Sequence, residues 1–136
     1  MQTLVQAAPI SSAAIWTGRV MSGLVVAFML FDGGIKLVPL DIVITTSEQM
    51  GIPGGLARPL GVIGLTCTVL YAIPRTSVLG AILLTGYLGG AIASHFRLGD
   101  PLFTHTLFGA YLGLLAWGGL YLRNARLREL IPLQTS

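Results

Sequence analysis

Apolar residues in this chain run in long unbroken blocks instead of alternating with polar ones. Val20 to Phe31 is almost uninterrupted, and comparable blocks lie at about 56–73, 78–96 and 102–122. A helix needs about 20 mostly apolar residues to cross the hydrocarbon core of a bilayer. A continuous block suits that role because a helix bonds every backbone N–H and C=O within itself. A closed barrel would require regular alternation. The pattern predicts an all-α protein whose transmembrane helices, at about 15–40, 56–73, 78–96 and 102–122, form a four-helix bundle in a single domain, 1–136.

Polar positions mark the ends of the blocks. Asp32, Gly33, Gly34 and Lys36 lead to Pro39, which suits the end of the first helix. Residues 41–59, rich in Thr, Ser, Gly and Pro, read as a loop with room for a short interfacial helix within 42–50. Pro74, Arg75 and Thr76 make a tight turn. Arg97 to Pro101 make another, with Pro101 placed for the first turn of the fourth helix. Arg123, Arg126 and Arg128 open an amphipathic tail, 123–136, of the kind that lies on a membrane surface.

Composition agrees with the pattern. The 136 residues are 54% hydrophobic and 10% charged, against about 25% charged in an average soluble domain, and mean hydropathy is +0.81. Eight Lys and Arg with five Asp and Glu cannot cover a soluble surface. The basic pI near 9.5 comes with no basic stripe and no interleaved aromatics, so the bilayer is the expected partner and nucleic acid is not. The first fifteen residues carry no Lys or Arg, so a cleaved leader is not expected. Cys67 stands alone. That excludes an internal disulfide, a Cys-ligated cluster and a CxxC pair, and leaves a small packing residue.

Charge sets an orientation. One end collects Arg19, Arg75, Arg123, Arg126 and Arg128 against Glu129, a net of +4. The other collects Lys36, Arg58 and Arg97 against Asp32, Asp41, Glu48 and Asp100, a net of −1; together these make the chain's +3. The positive-inside rule then puts both termini in the cytoplasm, with Trp16, Trp117 and Tyr121 near that face. Gly86 and Gly90, and Gly109 and Gly113, have the spacing of small residues that let helix backbones approach closely. Packing inside the bundle is the expected use, with an oligomer contact as the second reading.

Groups able to do chemistry gather at the outer end. Asp32 and Lys36, at i and i+4, share one helix face with the acid first, the favourable order. The topology brings His95, Arg97 and His105 to the same level, with Arg58 and Asp100, and Tyr87 is a further hydrogen-bonding group for a pocket there. Ionisable groups at membrane depth point to a site. The expected cofactor-binding pocket is Asp32, Lys36, Tyr87, His95, Arg97 and His105, able to hydrogen-bond a quinone-like carbonyl or relay protons. The plain alternative is a structural network of ion pairs and water-facing histidines. Two His cannot supply four axial haem ligands and give no metal-ligand pattern, so no metal is expected. GxxxxGK[ST], GxSxG and HExxH are all missing from the sequence. A small drug exporter would carry a lone acid mid-helix, whereas Asp32 lies off-centre beside a cation.

The run LYAIPRTSVLGAILLTGYLGGAIASHFRLGDPLF, Leu70 to Phe103, resembles the DoxX-like family of small bacterial membrane proteins. WGGLYLRNARLRELIP, Trp117 to Pro132, and Phe31 to Leu37 add to the likeness. The resemblance implies a four-helix, multi-pass protein of the bacterial inner membrane, similar to the DoxD and DoxA subunits of a thiosulfate:quinone oxidoreductase. It also implies an acid in a Gly-x-x-Glu-Leu context of the second helix, where this chain has Gly64. No self-contained catalytic motif is present, so an enzymatic role is at most that of an oxidoreductase subunit working with a redox partner subunit. The rival expectations are a non-catalytic scaffold or assembly factor using the Arg-rich tail, and a small-solute transporter gated by Asp32–Lys36.

Overall fold

A computed structural model describes residues 9–38 and 40–134; Pro39, expected to end the first helix, lies outside the described residues. Helix α1 spans Ser12–Leu37, α2 Asp41–Gln49, α3 Ala57–Ala72, α4 Ser77–Arg97, α5 Phe108–Arg123 and α6 Ala125–Leu130. No strand occurs among the described residues.

Local chemistry sets these boundaries. α1 starts ahead of the apolar block because the Ser11 side chain accepts a hydrogen bond from the Ala14 amide at 3.2 Å, satisfying a free N-terminal donor. α2 falls where the sequence leaves room for a short helix within 42–50. It stops at Gly51, whose φ of +73° is the left-handed conformation that favours glycine. There the Gly51 amide bonds the Glu48 carbonyl and the Ile52 amide bonds the Ser47 carbonyl, the two bonds of a Schellman cap. The fourth apolar block is divided. A π turn, Leu102–Thr106, precedes α5, and the Pro101 carbonyl accepts from both the His105 and Thr106 amides.

α1 lies against α3 and α5, and α4 lies against the same two helices. Val25, Met29, Tyr71, Leu84 and Ala116 are buried where they meet. The outside is equally apolar: Leu24 is 58% exposed, Ile82 55% and Leu114 72%. Such side chains are stable facing hydrocarbon, and three segments, Ser12–Leu37, Gly54–Ala72 and Pro74–Arg97, are long and apolar enough to cross a membrane.

Close approach rests on different glycines from those the GxxxG spacing suggests. A Cβ built on Gly80 would overlap the Tyr71 backbone, and one on Gly18 would lie 2.6 Å from the Gly119 carbonyl oxygen. Among the described residues, nothing beyond the local helix backbone lies within 4 Å of a Cβ built at Gly86, Gly90 or Gly113, while Gly109 packs on the Leu88 carbonyl and Ile92. Spacing identifies a shared face but not the direction it points, and the Gly86–Gly90 face of α4 points out of the bundle.

Candidate functional site

Asp32 and Lys36 sit one turn apart on α1. Lys36 Nζ donates to Asp32 Oδ2 at 2.7 Å and to the Tyr87 hydroxyl on α4 at 3.0 Å. The pair is about three-quarters buried, with 26% and 24% of the Asp32 and Lys36 side chains exposed. Two of the three ammonium N–H bonds are thus used inside the protein.

A second polar group forms at the end of α4. The sequence HFRLGD closes that helix with Gly99 at φ +70°. The Gly99 amide bonds Phe96 and the Asp100 amide bonds the His95 carbonyl, again a Schellman cap. This reversal returns Asp100 to His95, whose Nδ1 donates to Asp100 Oδ2 at 2.6 Å. The bond places the proton on Nδ1 and leaves Nε2 as the other nitrogen. The π turn brings the His105 ring to 6.0 Å from the His95 ring at 68°. Such turns occur often at functional sites.

Both groups border one cavity of about 470 Å³. Asp32, Lys36, Tyr87, His95 and His105 line it. Its walls are apolar, with Phe28 and Phe108 edge-to-face at 5.0 Å. Val43, Thr46, Ser47 and Met50 of α2 complete the lining. A chamber with apolar walls and a few convergent polar groups suits a small amphipathic molecule.

Arg97 is not part of this lining. Its NH2 donates to the Met50 carbonyl at the end of α2, 2.8 Å away. At the last turn of α4 its side chain reaches across to α2 instead of along α4 into the cavity. Exposed Arg58, at the start of α3, also stands outside it. α2 has no buried residue and rests on the Gly54–Leu56 turn and the start of α3, and the Arg97 bond adds a tie to α4. Arg97→Gln is expected to remove about 1 kcal/mol from this contact. Amide exchange at 47–52 should quicken about fivefold while α4 stays protected; unchanged exchange would mean that Arg97 does not hold α2.

The family model of the DoxX-like family matches residues 20–119, which include every residue of the cavity lining. The chain belongs to the DoxX-like family. It is a membrane protein. No curated protein and no solved structure matches it. In this DoxX-like chain the position where the resemblance implies an acid, Gly64, is buried against Tyr87. A Cβ there would lie 3.2 Å from the ring Cζ and 3.3 Å from the hydroxyl. The position lies behind Tyr87 and outside the cavity lining, and the carboxylate bonded to Lys36 is that of Asp32.

One polar chain in this DoxX-like protein escaped the sequence reading. Arg123 NH2 donates to Ser22 Oγ at 2.8 Å, Ser22 to the Tyr71 hydroxyl at 2.6 Å, and Tyr71 to the Ala116 carbonyl at 2.7 Å. It ties α1, α3 and α5 together at the end away from the cavity. The signal was a Ser and a Tyr inside apolar blocks, which must find partners when buried.

Proposed function

We propose that this protein is a four-helix transmembrane bundle of the bacterial inner membrane, both termini cytoplasmic, whose outer-leaflet cavity binds a quinone as the membrane component of a redox system. α5 alone is about 24 Å long, and the π turn ahead of it extends the segment toward the roughly 30 Å of the hydrocarbon core. Arginines at the end holding Arg19, Arg75, Arg123, Arg126 and Arg128 set the orientation.

The observation that carries the binding reading is the convergence of Asp32, Lys36, Tyr87, His95 and His105 on one apolar-walled cavity. Lys36 and Tyr87 offer hydrogen bonds at one place, and the His95–Asp100 pair with His105 at another. A planar molecule with two carbonyl oxygens matches two such groups. The chain's part is to hold and orient those oxygens. Electrons come from a partner subunit, because one Cys and two His are too few to ligate a cluster or two haems. A scaffold role for the tail has less support: Arg123 donates to the Gly119 carbonyl, and Arg128 to those of Tyr121 and Leu122.

The test is equilibrium binding of a short-chain ubiquinone to the purified protein in nanodiscs. Saturable one-site binding is expected, weakened about tenfold or more in the His95→Ala, His105→Ala double variant, as for lost hydrogen bonds in a desolvated site. Absence of saturable binding to the unaltered protein rejects the reading.

A further inference from the structure

At the opposite end of the molecule an apolar groove of about 400 Å³ opens where α1, α5 and α6 meet. Met21, Leu114, Trp117, Tyr121, Leu127 and Ile131 line it. Arginines crowd the same end. The Arg128 guanidinium lies 5.4 Å from the centroid of the Tyr121 ring, which is itself a groove wall. Arg126 is exposed on the six-residue α6, whose Leu127 is another wall.

We propose that this groove is a binding site for one anionic phospholipid, an acyl chain lying in the groove and the phosphate on Arg128, with exposed Arg126 on the same short helix adding its charge. Any lipid tail can fill an apolar groove, so selectivity must come from the rim. The rim is built for a phosphate. Arg128 is already held by the Tyr121 and Leu122 carbonyls at 2.7 and 2.8 Å, so little side-chain freedom is lost when an anion binds. A guanidinium has five N–H donors in a fixed fork; these two bonds leave three for phosphate oxygens. The tail 123–136 carries three Arg against one Glu, a charge complementary to an anionic headgroup and indifferent to a zwitterionic one. The α6 helix, started by the Asn124 side chain accepting from the Leu127 amide at 3.2 Å, holds Arg128 beside the groove wall Tyr121 and leaves Arg126 exposed. The inference needs only that the protein is embedded in a bilayer; it is independent of the ligand of the outer cavity.

Trp117 lines the groove and reports on it. In a Trp16→Phe variant it is the sole tryptophan, since the chain has two. The full chain is reconstituted in phosphatidylcholine bilayers with increasing fractions of brominated-chain phosphatidylglycerol or, separately, brominated-chain phosphatidylcholine. Phosphatidylglycerol should quench Trp117 saturably, with half-quenching at a mole fraction at least about fivefold lower. Arg126→Gln and Arg128→Gln should each reduce that preference by about fivefold, the effect of one arginine at a membrane surface. Gly118→Leu, which adds a side chain inside the groove, should abolish it. Equal quenching by the two lipids overturns the proposal, as does a preference untouched by Arg126→Gln and Gly118→Leu. Arg126→Gln keeps the test decisive if loss of the Arg128 carbonyl contacts disturbs folding.

Discussion

Gly80→Ala is expected to disrupt the packing of α4 on α3 and to remove about 3 kcal/mol or more of stability. The added methyl would fall on the backbone of Leu70 and Tyr71, and backbone cannot rotate aside as a side-chain tip can. The two helices must separate, which opens voids around the fully buried Tyr71, Leu84 and Ala81. Overpacking of a core typically costs about 1–3 kcal/mol, and a clash with main chain belongs at or beyond the top of that range. Tyr71 also carries the bonds to Ser22 and the Ala116 carbonyl, so the shift strains α1 and α5 as well. Gly86→Ala is the matched control, because no described residue beyond the local helix backbone lies within 4 Å of its Cβ position. It should be neutral or slightly stabilising through helix propensity. Thermal unfolding of the two variants in detergent makes the comparison. Equal midpoints would show that α3 and α4 tolerate a wider spacing.

Lys36→Met is expected to weaken quinone binding by about tenfold to a hundredfold, the loss of a charge-assisted hydrogen bond worth about 1.5–3 kcal/mol. It should also destabilise the protein, because the largely buried Asp32 loses its partner at 2.7 Å. Removing one member of a buried ion pair is worse than removing both. The Asp32→Asn, Lys36→Met double variant should therefore recover most of the stability while still binding quinone poorly. Thermal unfolding and equilibrium binding on the single and double variants separate these effects. A double variant as unstable as Lys36→Met alone would show that the pair is not energetically coupled. Unimpaired quinone binding in both would move the ligand away from Lys36.

Block length carried the helical class. Apolar blocks this long leave few alternatives, and continuous blocks cannot be strands of a membrane barrel. The family likeness lay in the run Leu70 to Phe103, inside the matched region 20–119. The Asp32–Lys36 contact was legible because i and i+4 always meet on a helix. The return of Asp100 to His95 was not read in advance, although its cause is local: glycine after the last helical turn of HFRLGD lets the chain reverse. Arg97 was placed in the pocket by its level in the membrane. Level says nothing about which way a long side chain reaches across a helix end, and it reaches to Met50.

By itself the sequence determined the membrane-embedded helical character, the family and the Asp32–Lys36 pair, since composition, block length and i,i+4 geometry do not depend on how helices are rotated. Tertiary structure alone decided the rest. Rotation of α1 and α4 about their axes brought Lys36 to Tyr87 and turned Gly86 and Gly90 outward. Backbone approach at Gly80 set the α3–α4 spacing, and the π turn set His105 beside His95. These depend on contacts between residues far apart in the chain, such as Lys36 and Tyr87 or Ser22 and Arg123, and no local pattern encodes the angle at which two helices meet.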